Sequence, residues 1–203
     1  MIYITHLFIG FVMAFVGLLP PGMLNMTAVR ATIENNKKSG LLFSLGAALI
    51  VIPQSFVALF FANYFVKHPE IIEQLSIAGV IVLFVLSIFF FFQARKKFKG
   101  EGKKSKGNYF FIGLFMSALN MLAVPFYFFY SSFFQSKGLL ILQHPFISIF
   151  VLGAFLGAFL LFVLYTNFAI LIEKRAQFIA KNINYILSIL FFILGILTLF
   201  KLF

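Results

Sequence analysis

The chain has no cysteine and no tryptophan among its 203 residues, and only 10% of them are charged. Without thiols it can form neither disulfides nor thiolate metal sites, and it has no cysteine nucleophile. Only five residues are acidic, which leaves a formal net charge of +11. Apolar side chains are abundant instead: 63% of the residues are hydrophobic and 33 are phenylalanine, well above the usage of soluble domains. The composition therefore predicts an integral membrane protein.

Short polar stretches divide the sequence into six apolar segments, each able to cross about 30 Å of hydrocarbon as a helix. Backbone groups in lipid must bond within their own segment, so helices are expected rather than strands. The segments are residues 4–29, 41–62, 76–94, 108–134, 146–172 and 183–200. The first lacks the basic start and cleavage site of a secretory signal, so it is interpreted as a retained span.

Basic residues mark the connections on one side. All but three of the 16 lie in the loops after segments one, three and five; the exceptions are Lys67, Lys137 and Lys201. By the positive-inside rule these loops are cytoplasmic and both termini lie outside, in an inner membrane. The densest run, RKKFKGEGKKSKG in residues 95–107, is interpreted as a solvated, topology-setting linker, with a nucleic-acid or anionic-lipid site as the alternative.

That linker separates two three-helix units, residues 1–94 and 108–203. FIGFVMAF at 8–15 resembles FIGLFMSA at 111–118, and LGA occurs at both 45–47 and 152–154. These matches predict an internal duplication. Because three spans is an odd number, the second copy enters from the opposite side, as in the inverted repeats of secondary transporters. The Gly-x3-small spacings beginning at Gly10, Gly113 and Gly153 predict helix-packing faces.

The first span contains a Pro-Pro-Gly sequence that predicts a break. Proline has no N–H, so the carbonyls of Val16 and Gly17 are expected to lose their helical partners. The second half-helix is expected to begin at about Pro21, with free N–H groups at residues 22–24 that suit a carboxylate. The predicted binding residues here are Pro20, Pro21, Gly22, Met23 and Asn25.

An equivalent break is expected in the fourth span, within SALNMLAVPFYFF at 117–129. Pro125 should free the carbonyl of Met121, and Asn120 adds an amide oxygen, a pairing that suits an ammonium group. Gln54, beside Pro53 in the second span, is expected to line the path. The predicted binding residues of this half are Gln54, Asn120, Met121 and Pro125.

The residues that a proton relay, an enzyme active site or a metal site would need are missing, or lie outside the apolar segments or near their ends. The acidic side chains lie in loops or at helix ends, namely Glu34, Glu70, Glu73, Glu101 and Glu173, so proton relay through a buried carboxylate is not supported. His6 and His144 are expected to be solvated at the outer face. No hydrolase, zinc-protease or phosphate-loop motif occurs, so neither an enzyme, a metal site nor a cofactor is predicted.

Two longer stretches carry a resemblance to a known family. LLPPGMLNMTAVRATIENNKKSGLLFSLGAAL, residues 18–49, resembles the first signature of the lysine exporter (LysE-type, or RhtB) family, and FFIGLFMSALNMLAVPFYFFY, residues 110–130, resembles its second. The family's usual Pro-Gly-Pro reads Pro21-Gly22-Met23 here. The proline that usually follows the signature asparagine, Asn120, is replaced by Met121, and Pro125 comes four residues later.

The resemblance implies a small six-span exporter of amino acids or related metabolites. Together with the residues, it predicts an all-α protein of two inverted three-helix repeats, with helices 1 and 4 interrupted. A zwitterionic solute would bind between the breaks and leave by alternating access, with lipids and possible homo-oligomers as the partners. A non-transporting membrane scaffold or assembly factor, or a channel-like pore, is the alternative.

Overall fold

The computed structural model describes residues 1–68, 80–92 apart from 82 and 90, and 107–202 apart from 121. The backbone alone is described at 66, 173–184, 187, 198, 201 and 202. The basic linker 95–106, Met121 and both ends of the predicted third span lie outside the described residues. Every regular element in this part of the chain is a helix.

Seven helices have full bounds. In chain order they are α1 Ile2–Leu18, α2 Met23–Glu34, α3 Lys37–Lys67, α4 Tyr109–Ala118, α5 Ala123–Ser136, α6 Phe146–Asn167 and α7 Ala169–Leu202. Residues 80–92 are helical wherever they are described. Asparagine side chains start two of the helices: Asn36 accepts the Ser39 N–H at 2.9 Å before α3, and Asn108 accepts the Phe110 N–H at 3.1 Å before α4.

The described residues contain between two and four candidate membrane spans. α3 and α6 are each long and apolar enough to cross a membrane by themselves. α1 with α2, and α4 with α5, form bent pairs that are long enough if each pair is one span. The protein is therefore an all-α, multi-pass membrane protein. Six spans stay a prediction, because the third is described only within 80–92.

The final helix differs from the expectation. The basic stretch around residues 173–182 was expected as a loop before a span at 183, yet the backbone is helical from Ala169 to Leu202. No glycine or proline occurs between Asn167 and Gly195 to end the helix. Good helix formers such as lysine, alanine and glutamine therefore carry α7 through the polar stretch.

Two helix pairs pack through glycine, as the small-residue spacing predicts. α1 packs on α6, where Gly10 lies against the Phe150 carbonyl and Gly153 lies against the Leu7 carbonyl. A Cβ at either glycine would clash with main-chain atoms. The missing side chains thus allow the two backbones to touch.

α3 and α4 repeat this contact with matched residues. Gly46 lies against the Phe110 carbonyl, and Gly113 lies against the Phe43 carbonyl. Gly113 has the same place in FIGLFMSA as Gly10 has in FIGFVMAF, and Gly46 and Gly153 are both the glycine of LGA. Each first half-helix therefore packs on the Leu-Gly-Ala helix of the other predicted three-helix unit.

The helical residues 80–92 pair with α7 through reciprocal contacts. Ser87 Oγ donates to the Ser188 carbonyl and Ser188 Oγ donates to the Ser87 carbonyl, both at 2.9 Å. Ring pairs flank this exchange on both sides, with Phe84 on Phe192 at 5.7 Å and Phe91 on Tyr185 at 6.5 Å between centroids. The contact is thus nearly two-fold symmetric about the serines.

His6 is buried, so the expectation of a solvated interfacial side chain was wrong. It is 1% exposed, and its ring lies 4.8 Å from that of Phe146. The expectation failed because the loop between α5 and α6 folds over the end of α1, and sequence patterning does not place loops. His144, on the same loop, is exposed.

Candidate functional site

The first break lies at the Pro-Pro-Gly sequence. α1 ends at Leu18, α2 begins at Met23, and the two helix axes meet at 76°. Gly22 is the N-cap residue of α2, with φ −107° and ψ −176°. This extended conformation delays the start of α2 by two residues from the expected Pro21.

The Asn25 side chain bonds back to the end of α1. Its Nδ2 donates to the Leu18 carbonyl at 2.6 Å and to the Pro20 carbonyl at 2.9 Å. Unpaired carbonyls at membrane depth are costly, so the two bonds stabilise the interruption. The expected free carbonyl of Val16 instead accepts the Leu19 N–H at 3.2 Å, so the carbonyls that need partners lie further along the chain.

Tyr165 of α6 bonds to the Leu19 carbonyl, which lies between the carbonyls of Leu18 and Pro20. Its hydroxyl donates to the Leu19 oxygen at 2.7 Å. The carbonyls of Leu18, Leu19 and Pro20 therefore all receive side-chain donors, two from Asn25 and one from α6. The first break is tied to α6 through this phenol.

The two bonds of Asn25 also fix the orientation of its amide. Both amide hydrogens point at carbonyl oxygens, since the flipped amide would place oxygen against oxygen. Asn25 is only 2% exposed, and its Oδ1 has no hydrogen-bond partner among the described residues. The first break thus contains a buried acceptor that no described protein group satisfies.

The second break has a similar arrangement. α4 ends at Ala118, α5 begins at Ala123, and the helices meet at 60°. Gln54 of α3 donates from Nε2 to the Ser117 carbonyl at 2.9 Å. Its Oε1 is buried and lacks a partner in the described part of the chain, as does Gln135 Oε1 at the end of α5.

The two breaks adjoin each other. Phe126, in the first turn of α5, packs its ring directly on Gly17 near the end of α1, where any Cβ would clash with the ring. Gly17 lies one residue before the carbonyls that Asn25 holds. The two interruptions are therefore joined by a side chain of the second break resting on the first.

The residues that form both breaks lie within a match to a protein-family model. The family model LysE type translocator matches residues 15–201, which include both breaks and all six apolar segments in whole or in part. The chain belongs to the LysE type translocator family. No curated protein matches it, and no solved structure does. As a LysE type translocator, the protein is a membrane transporter.

In this LysE type translocator the predicted residues of the first break lie together but differ in exposure. Pro21 is buried and Gly22 half-buried, whereas Pro20 and Met23 are exposed. The first intrahelical bond of α2 runs from the Met26 N–H to the Gly22 carbonyl at 3.0 Å. The N–H groups that the helix leaves unpaired are thus those of residues 23–25, one position later than expected.

The predicted residues of the second break are placed differently. Asn120 is half-buried between α4 and α5, and its carbonyl accepts the Ala123 N–H at 3.3 Å. Met121 lies outside the described residues. Pro125 does not cause the interruption, because it is the third residue of α5, where a helix leaves the N–H unpaired in any case.

Two surface depressions among the described residues are lined by neither Asn25 nor Gln54, although the second begins beside Tyr165 of the first break. One of about 260 Å³ surrounds Ser87 and Ser188, and one of about 360 Å³ follows residues 166–171. Within the described residues, no group of three His, Cys, Asp or Glu side chains lies close enough to hold a metal ion. The chemistry at the breaks therefore comes from neutral amides, carbonyls and a phenol.

One residue of this site was missed by the sequence reasoning. Tyr165 precedes two polar residues of the fifth apolar segment, Thr166 and Asn167, but a tyrosine in an apolar run is typical of interface anchoring. Thr166 itself lies 3.2 Å from the Ser44 hydroxyl, between α6 and α3. A phenol inside an apolar segment, rather than at its end, is the signal that could have identified Tyr165.

Proposed function

We propose that this translocator is a secondary transporter that exports amino acids, or similar small zwitterionic metabolites, across the cytoplasmic membrane by alternating access. The proposal rests on the family, on two adjoining helix breaks and on neutral polar groups at both of them. Broken helices near the middle of a transporter are where such proteins bind solutes. The direction of transport is taken from the family resemblance.

The observation that carries the proposal is the pair of amide oxygens at the breaks. Asn25 donates to two carbonyls of an interrupted helix and Gln54 to one, and each keeps a buried oxygen without a described partner. A buried unsatisfied acceptor costs about 1–3 kcal/mol, so it is retained where a ligand or water uses it. Amide oxygens suit an ammonium group.

The carboxylate of a zwitterion would bind at the start of α2. The N–H groups of residues 23–25 point out of that helix end, where the helix dipole favours negative charge. Met23 is 63% exposed at this end. In this hypothesis the carboxylate lies against Gly22 and Met23. The ammonium group meets Asn25, Gln54 and Asn120.

Alternating access would need two units that rock against each other, and we infer that these are inverted repeats, residues 1–94 and 108–203. The matched glycine contacts of α1 on α6 and α4 on α3 support this inference. The reciprocal Ser87–Ser188 exchange supports it for the third and sixth helices. The basic linker 95–107 would then lie in the cytoplasm and both termini outside.

The test is efflux from proteoliposomes loaded with an isotopically labelled panel of the twenty amino acids. We expect saturable loss of at least one of them from vesicles containing the protein and none from empty vesicles. The double variant Pro21→Ala/Gly22→Ala, which restores a backbone donor at 21 and leaves Pro20 as the one proline of the break, should stop this efflux while the protein stays folded. Flux that rises linearly with solute concentration would instead indicate a channel-like pore, and no flux of any solute a scaffold.

The matched control is Gly22→Ala alone. A Cβ at Gly22 meets only the Pro20 oxygen at 4.0 Å, an ordinary contact, and its φ of −107° is open to any residue. This variant keeps both prolines and should keep the bend and the folded state, so a loss of efflux in it would report crowding of the bound carboxylate at Gly22 and not loss of the break. Unchanged efflux in the double variant would refute the site at the first break.

A further inference from the structure

His6 forms two hydrogen bonds, one to a main-chain acceptor and one from a main-chain donor. Its Nδ1 lies 2.8 Å from the Ile2 carbonyl on its own helix. Its Nε2 accepts the main-chain N–H of Ile141 at 2.8 Å. A carbonyl only accepts and an N–H only donates, so the geometry requires the neutral ring with its proton on Nδ1.

The residue that donates to His6 belongs to residues 137–145, which we name the α5–α6 loop. Gly138 has φ +70°, a left-handed conformation that turns the chain at the end of α5. Leu140 and Leu142 then bury their side chains in the main hydrophobic core, at 3% and 2% exposure. The loop is thus a plug that fills one end of the helix bundle.

The same loop bridges the ends of several helices. His144 places its ring 6.0 Å from Phe56 of α3, and the loop leads directly into α6 at Phe146, against whose ring His6 packs. The bond from Ile141 to His6 is therefore the polar tie between α1 and a plug that touches α3 and α6.

We propose that His6 is the proton-binding site that couples acidity outside the membrane to opening of the α5–α6 loop. The proposal rests on the orientation given under the proposed function, which puts the N-terminus outside and with it this loop, and it extends that function by naming the coupling residue. A proton from outside adds to the Nε2 lone pair, and the Ile141 N–H then faces a second N–H instead of an acceptor. The hydrogen bond is lost and the loop is released.

The charged surroundings favour such release. The other titratable groups of α1, the loop, α5 and α6 are neutral phenols or bases. They are the Met1 amine just before α1, the phenols of Tyr3, Tyr127, Tyr130 and Tyr165, and Lys137 and His144 in the loop. No acidic residue occurs in residues 1–33 or 102–172. A charged imidazolium would therefore have no carboxylate from α1, the loop, α5 or α6 to stabilise it in the closed position.

The experiment measures access to the loop directly, because the chain has no native cysteine. Leu140→Cys reports the buried position, and Leu139→Cys, whose native side chain is 50% exposed, is the matched control. Each is labelled with a membrane-impermeant maleimide added outside intact cells at about pH 7.5 and about pH 5.5, the range over which histidine changes charge. The ratio of the two labelling rates cancels the effect of pH on the thiols.

We expect the labelling rate of the Leu140→Cys variant, divided by that of the Leu139→Cys variant, to rise about tenfold on acidification, the factor that one buried hydrogen bond supplies. His6→Gln, which keeps an acceptor but does not titrate, should hold the ratio low at both pH values. His6→Ala, which has no acceptor, should hold it high at both. Leu142→Cys repeats the measurement at a second buried position, which guards against a folding defect at Leu140.

Three outcomes would overturn the proposal: a ratio independent of pH when His6 is present, a rise that persists in His6→Gln, or a rise that only His144→Gln abolishes. Failure of the Leu139→Cys variant to react from outside would overturn the placement of the loop and with it the coupling. Because labelling needs no solute, a pH-dependent ratio combined with absent efflux would refute the proposed transport and leave the His6 switch standing.

Discussion

The side chain of Gln54 donates a hydrogen bond to the main-chain carbonyl of Ser117 at 2.9 Å, which joins the middle of α3 to the end of α4. The two residues belong to different predicted three-helix units. The bond satisfies a carbonyl of the second break and leaves Gln54 Oε1 buried without a described partner. A movement of α4 relative to α3 would have to break it.

Gln54→Met is the first test of this relationship. Methionine matches the length of glutamine but neither donates to Ser117 nor offers an amide oxygen. We expect a stability loss of about 1–3 kcal/mol from the unpaired carbonyl, together with loss of saturable efflux. Thermal unfolding in detergent and initial efflux rates measure the two effects.

Ser55→Ala is the control for that variant. Ser55 is the next residue and is fully buried, but its hydroxyl bonds only within its own helix, most closely to the Val51 carbonyl at 2.7 Å. We expect a change within about 0.5–1.5 kcal/mol and unaltered efflux. Equal loss of efflux in the two variants would mean that α3 packing, not the Gln54 amide, supports transport.

Asn25→Leu should be more damaging to folding. It removes both donors that hold the Leu18 and Pro20 carbonyls, so two buried acceptors lose their partners at about 1–3 kcal/mol each. We expect a strongly lowered unfolding temperature in detergent. Asn167→Leu, an exposed asparagine at the end of α6, is the comparison and should leave the unfolding temperature nearly unchanged.

Tyr165→Phe isolates the third bond of the first break. The ring is kept, so only the hydrogen bond to the Leu19 carbonyl is lost, at about 0.5–1.5 kcal/mol. Because Tyr165 and Asn25 act on adjacent carbonyls, the double variant should deviate from additivity by about 0.5 kcal/mol or more. Tyr130→Phe, at an exposed position of α5, serves as the control. If the stability losses of the Tyr165 and Asn25 variants add exactly, the two residues act independently.

Gly10→Ala tests the close approach of α1 and α6. Its Cβ would strike the backbone of Phe150, which cannot move aside without shifting α6, and overpacking of this kind costs about 1–3 kcal/mol or more. Gly195→Ala is the matched helical glycine, since its Cβ would meet only the Phe84 ring at 3.3 Å. If both variants unfold at the same temperature, the backbone contact is not what holds α1 to α6.

The interruptions were predictable from the sequence to within a few residues. Pro20 and Pro21 remove backbone donors wherever they stand, so a break near them follows from covalent structure alone. The second break was predicted in the right segment but assigned to Pro125, whose position in the first turn of α5 leaves the helix intact. A proline near a helix start and one in its interior look alike in a sequence.

The partners of the breaks were less predictable. Asn25 lies one turn after the prolines, so its role was foreseeable from local spacing, and Gln54 was noted beside Pro53. Tyr165 is far along the chain from Leu19 and meets it only because α6 packs beside α1. His6 was misjudged for the same reason, since its partner Ile141 comes from a distant loop.

The sequence by itself determined that the protein is helical and membrane-embedded, that its first apolar segment is interrupted, and that glycine faces allow its helices to touch. Those properties follow from short-range chemistry: apolar length, a missing N–H and an absent Cβ. Only the tertiary structure decided which side chains satisfy the freed carbonyls and which oxygens stay unpaired. Hydrogen bonds between segments far apart in the chain depend on how whole helices pack, and no local pattern records that packing.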